Sequence, residues 1–160
     1  MRNESGVTFY ELVVVVGIMA LLASMAIPGF LSWLPKYKMS SAADEVLSTL
    51  QHAKLRAIRE NDFVSVTFNT ANDSYTAFLD NGAGGGIAGN GQQDGVEVTV
   101  KNGQMPEGIG LLSTSFVDFG GDVVRFNSRG FPFAGGNIVV ANGAGTRTIS
   151  LTLGGSSWIP

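Results

Sequence analysis

Ser5-Gly6-Val7-Thr8-Phe9-Tyr10-Glu11-Leu12 decides how this chain is read, because it leads straight into an apolar run with one carboxylate near its head. Every residue from 12 to 27 is apolar or is Gly, Ala or Ser, and apolar character returns at Phe30, Leu31, Trp33 and Leu34. A helix needs roughly 20 mainly apolar residues to cross a bilayer, and residues 7–34 meet that length. A charge within such a span costs about 2.5–3.5 kcal/mol on insertion scales. Glu11 therefore calls for a reason, and no basic residue lies in the same segment to supply one.

Working outward, the head of the run is too weakly basic for a secretory signal peptide. Only Arg2 precedes it, the apolar stretch is long, and no good A-x-A site follows before Pro28. Charge counting leaves the orientation open, since Arg2 precedes the span and Lys36 and Lys38 follow it. The 160 residues suffice for one membrane segment and one modest domain. Net charge is −3 with no basic run, which gives bulk attraction to nucleic acid no support. Without cysteine, an exported domain must be held by its core or by neighbouring subunits.

The helical pattern continues past the span. Pro28-Gly29 and Pro35 interrupt it, and kinks are expected at both because proline removes a donor and crowds the preceding turn. Beyond Lys36, Met39, Ala43, Val46, Leu47, Leu50, Ala53, Ala57 and Ile58 recur at helical steps. Ser40 or Ser41 is expected to cap a restarted helix, with Asp44 and Glu45 near its positive end. Asn61-Asp62 ends it.

After Asp62 the period becomes two, and glycine becomes common: of 22 glycines only Gly6, Gly17 and Gly29 precede Gly82. Strands are expected at 63–68, 75–79, 96–100, 110–113, 116–119, 123–127, 137–141 and 146–153. Asn142-Gly143-Ala144-Gly145 forms the last hairpin turn, and residues 80–95 form a flexible, polar, glycine-rich loop. A helix followed by strands gives the α+β class: a long N-terminal helix packed on an antiparallel β-sheet domain. The domains are then 1–6 as leader, 7–34 as the transmembrane half of the helix, 35–61 as its amphipathic half, and 62–160 as the β domain.

Little in that domain looks catalytic. Gly84, Gly86 and Gly89 satisfy G-x-G-x-x-G, but no helix opens at the third glycine, as dinucleotide binding requires. Asp80, Asn81, Asn90 and Asp94 lack the spacing of an EF-type calcium loop and read as solvated turn residues. His52 is the sole histidine, with no cysteine or triad logic around it. No enzyme activity, cofactor or metal is implied. Arg125, Arg129 and Arg147, scattered among Asp118 and Asp122, read as surface charge rather than a phosphate-binding cluster.

The Gly6|Val7-Thr8-Phe9-Tyr10-Glu11-Leu12 pattern resembles the prepilin-type signal of type IV pilins and type II secretion pseudopilins. Val7 stands where Phe is usual and Tyr10 where Ile or Leu is usual, and both keep the hydrophobic character. The resemblance implies cleavage after Gly6 by prepilin peptidase, N-methylation of Val7, and Glu11 as mature residue five. It also places Pro28 where family helices kink. Residues 47–61, Leu47-Ser48-Thr49-Leu50-Gln51-His52-Ala53-Lys54-Leu55-Arg56-Ala57-Ile58-Arg59-Glu60-Asn61, look like the helix end of the GspH/FimT minor pilins. Phe126-Asn127-Ser128-Arg129-Gly130-Phe131-Pro132 is similar to that family's F-x-x-x-G-x-P element.

The resemblance implies a non-enzymatic minor pseudopilin or minor pilin at the start or tip of an inner-membrane-anchored filament, for protein secretion or pilus biogenesis. Its partners would be prepilin peptidase, other pilins and the assembly platform. Its N-terminus would be cytoplasmic and its β domain periplasmic. In a filament, Glu11 would meet a neighbouring subunit's α-amine, a pair that lowers the cost of burying either charge and helps select register. The contrasting class is a filament-tip binding module, a DNA-uptake receptor or adhesin. The basic Gly-Arg-x-Arg by which some FimT-type proteins bind DNA is replaced here by Gly154-Gly155-Ser156-Ser157-Trp158, so DNA uptake is not carried over.

Overall fold

A computed structural model of the chain describes residues 8–116 and 119–160. It falls into two units, one ending at Pro35 and one beginning at Lys36. In the first unit, helix α1 (Phe9–Glu60) starts beside Thr8, and its large apolar side chains are exposed. The helix is long and apolar enough to cross a membrane by length and composition. Ser24 and Ser32 donate their hydroxyls to the carbonyls of Leu21 (2.7 Å) and Gly29 (2.9 Å). Neither hydroxyl then presents an unmade donor to hydrocarbon, where that would be costly.

The helix runs unbroken through Pro28 and Pro35 and does not restart at Ser40 or Ser41. Proline's fixed φ is itself helical, so its cost is confined to one lost hydrogen bond and local crowding. Downstream, the buried face of Met39, Ala42, Ala43, Val46, Thr49, Leu50, Ala53 and Ala57 stabilises the continuing helix. Ile58, expected on that face, is 45% exposed. The helix stops where anticipated: Asn61 takes a left-handed φ of 54°. Its N–H donates to the Ile58 carbonyl at 3.3 Å and that of Asp62 to the Ala57 carbonyl at 3.2 Å. That pair of bonds is a Schellman closure with asparagine in glycine's usual place.

Two four-stranded antiparallel sheets complete the second unit. The first holds β1 (Val64–Asn69), β2 (Ser74–Leu79), β3 (Thr99–Gln104) and β5 (Val123–Phe126), in the order β3-β2-β1-β5. The second holds β4 (Gly110–Thr114), β6 (Gly136–Asn142), β7 (Gly145–Leu151) and β8 (Ser157–Trp158), in the order β4-β6-β7-β8. Alternation puts Val64, Val66 and Phe68 of β1 and Ile138 and Val140 of β6 into one core with Val46, Leu50 and Ala53 of the helix. Tyr75 is buried there beside Thr49 and Glu45, and loss of water raises its phenol above its usual pKa of 10.0 while Thr49 opposes the shift. The Tyr75 ring lies across Gly103 of β3, where a Cβ would collide with it.

Two strand expectations change and one strand is added. The strand expected at 96–100 begins at Thr99, because the Val96 and Glu97 N–H groups are taken by Ala83 and Asp94 carbonyls. At 116–119, Phe116 lies outside any strand and a 3-10 turn (Phe119–Gly121) follows; residues 117 and 118 lie outside the described ones. Gly120 and Gly121, at φ 85° and 101°, turn the chain there. Strand β8, two residues long, carries too little pattern to be read from sequence.

Candidate functional site

Gly6 and Val7 lie outside the described residues. Glu11 sits in the first turn of α1, and its carboxylate is engaged within its own chain. Oε2 accepts from both the N–H and the hydroxyl of Thr8 at 3.4 Å, while the Glu11 N–H donates to Thr8 Oγ1 at 3.3 Å. This reciprocal capping box satisfies donors that the helix start leaves orphaned. It also sets the negative charge at the positive end of the helix dipole. The Thr8-x-x-Glu11 spacing is the sequence signal for it.

The glycine-rich loop is organised around carboxylates. Asp80 is fully buried rather than solvated. Its Oδ1 accepts from the Gly89 (2.6 Å) and Asn90 (3.2 Å) N–H groups, and its Oδ2 from the Gly91 N–H (2.8 Å) and the Ser65 hydroxyl (2.6 Å). Those four bonds fill the carboxylate's roughly four acceptor positions. Glu97 accepts from Gly82 (2.8 Å) and Asp94 (3.1 Å), and Asp94 accepts from Ile87 (3.2 Å) and the Asn90 amide (2.8 Å). Within the G-x-G-x-x-G segment the Ile87 and Gly89 N–H groups are thus held by protein carboxylates. Among the described residues no group of three or more His, Cys, Asp or Glu is placed to hold a metal.

Arg125 is not ordinary surface charge. Its guanidinium stacks 3.8 Å from the Phe133 ring centroid and 5.8 Å from that of Phe63, and Nη1 donates to the Gly89 carbonyl. Arg129, in the β5–β6 connection, and Arg147, on β7 of the other sheet, are exposed. These arginines come from three separate elements, and Arg125 is committed to packing. His52 is exposed on α1, where it lines a cleft of about 290 Å³ with Leu55, Arg56, Arg59 and Val100.

The element around Gly130 docks on the helix end. Asn127 Oδ1 accepts from the Arg129 (2.9 Å) and Phe131 (3.0 Å) N–H groups, and Gly130 turns with a φ of 78°. A Cβ on Gly130 would stand 2.7 Å from Ile58 Cδ1 and 3.1 Å from Lys54 Cγ, and together with the positive φ this favours glycine. Lys54 Nζ also donates to the Gly155 carbonyl at 3.0 Å, tying the C-terminal segment to the same turn.

These distal elements lie in the region that comparison matches. Residues 42–155 match the family model described as "Type II transport protein GspH". No curated protein is similar in sequence. Among solved structures, the fold is similar to the type IV minor pilin FimU of Pseudomonas aeruginosa. That likeness has 12% identity and a TM-score of 0.58, and covers 80% of this chain and 92% of that one. It is also similar to the minor pseudopilin EpsH from the type 2 secretion system of Vibrio cholerae, at 12% identity and a TM-score of 0.56, over 77% of this chain and 96% of that one.

Proposed function

The chain belongs to the GspH family of type II transport proteins and is a pilin-like structural subunit; on that basis we propose that it helps to initiate or tip an inner-membrane-anchored filament. The observation that carries this reading is one chain joining an exposed apolar helix of membrane-spanning length to a GspH domain matched over residues 42–155. Prepilin peptidase cleaves after Gly6, Val7 becomes the methylated N-terminus, and the domain faces the periplasm. Other pilins and the assembly platform are its partners.

Glu11 has two partners in succession in this reading. Before assembly its carboxylate rests on Thr8. In the filament it pairs with a neighbour's α-amine, which compensates its charge inside the apolar core. Glu11→Ala is expected to leave cleavage intact and to lower filament incorporation severalfold, read by fractionation and immunoblotting; unchanged incorporation refutes the pairing. Mass spectrometry of the N-terminus tests processing, and Met1 or Arg2 retained in cells with active peptidase overturns the pilin reading. A deletion strain scored for exoprotein secretion, piliation and transformation separates a secretion pseudopilus from a type IV pilus. A DNA-receptor role at the tip gains nothing from Arg125, whose guanidinium is engaged by Phe133 and Gly89.

A further inference from the structure

The two edges of the first sheet are treated differently. Strand β5 is covered, because the Asn127 N–H donates to Phe131 O, the Phe133 N–H donates to Arg125 O, and Phe126 bridges Pro132. Strand β3 is the other edge, and among the described strands none pairs with its outer side. Beside β3 runs the last part of α1, whose His52, Leu55, Arg56 and Arg59 face Val100 across the cleft of about 290 Å³. Cations near a helix C-terminus are commonly mere complements to the dipole. Here they also wall a concavity that Val100 of the edge strand β3 completes.

The charges around the cleft are mostly positive. Arg56 lies 3.0 Å from Glu60, and Lys101 on β3 lies 3.3 Å from Glu45. Among the described residues Arg59 makes no such ion pair, and His52 adds ring N–H donor capacity beside it. Leu55, 62% exposed, and Val100 give the cleft an aliphatic surface. An unpaired strand edge is complemented by another polypeptide backbone. Cationic walls select carboxylates, and an aliphatic surface takes an apolar side chain. A nucleic acid strand would look for Phe, Tyr or Trp stacking platforms, and the described lining residues include none of these.

We propose that the cleft between β3 and the end of α1 seats an extended, acidic segment of a neighbouring filament subunit, which adds as a strand to β3 with a carboxylate against Arg59 and His52 and an apolar side chain on Leu55 and Val100. This rests on the filament reading above. The chain has no cysteine, so single thiols report cleanly. Leu55→Cys and Thr99→Cys in the full chain, carrying a thiol-linked photo-cross-linker in assembled filaments, are expected to capture a neighbouring subunit severalfold more than Leu112→Cys on β4.

Tandem mass spectrometry is expected to place the cross-link in a segment bearing Asp or Glu. Exposed Arg59→Glu lowers the Thr99 yield on the order of tenfold, whereas Arg59→Lys keeps it. Equal yields at Leu112, a captured segment without carboxylates, captured nucleic acid, or indifference to Arg59→Glu overturns the proposal. A chain that enters filaments without preference at 55 and 99 defeats the cleft alone. A chain that never enters filaments defeats the filament reading and the cleft with it.

Discussion

One helix serves two environments. Before Pro35 its large side chains, Leu21, Leu22 and Met25 among them, stand exposed; after Lys36 eight residues are buried under two sheets. Both halves belong to one α-helix, and the difference lies in what covers the side chains. The later half is stabilised by its own domain, through burial worth about 1.5–3 kcal/mol for each large apolar side chain. The large apolar side chains of the earlier half are exposed among the described residues. The length and apolar composition of that half suit lipid or other helices as surroundings, as do the carbonyl-bonded hydroxyls of Ser24 and Ser32.

The sharpest way to break this contrast is a matched pair of truncations in the full chain, solubilised in detergent. Leu50→Ala empties a fully buried site and is expected to cost about 2–5 kcal/mol, read by chemical denaturation of the β domain. Leu21→Ala is expected to leave that transition within about 0.5 kcal/mol. Equal effects would mean that the two halves are not energetically distinct. Next in size is Asp80→Asn, which replaces acceptor oxygen by an amide and leaves buried N–H groups short of partners, at about 1–3 kcal/mol. Hydrogen exchange at Gly89, Asn90 and Gly91 is expected to accelerate more than at β6, and uniform protection would contradict the carboxylate-held loop. Smallest is Thr8→Ala. Loss of the cap is expected to speed exchange in the first turn of α1 about fivefold, the equivalent of about 1 kcal/mol, with no change beyond Lys36.

Local pattern made much of this molecule legible. The apolar run, the amphipathic steps from Met39 to Ala57 and the stop at Asn61-Asp62 each follow from residues close in sequence, as does the Asn142–Gly145 hairpin. Thr8 and Glu11 also carried their signal, a three-residue spacing before an apolar run, although the cost of the lone carboxylate draws attention away from it. Legibility fails where partners are distant or where polar composition hides burial. Nothing near Asp80 in sequence tells that Ser65 will close its last acceptor position, and nothing near Arg125 tells that Phe133 will cover it. The continuity of α1 through two prolines was hidden for another reason: local rules weigh a lost hydrogen bond but not the burial that follows it.

The Asp80 loop has one further consequence. Its frame depends on backbone donors meeting three inward carboxylates, so its shape is encoded by spacing rather than by the side chains it shows to water. Ile87 and Gln92 are exposed on that frame. Such a loop behaves as an interchangeable display: outward residues can drift to suit a new neighbour while the presenting platform keeps its form.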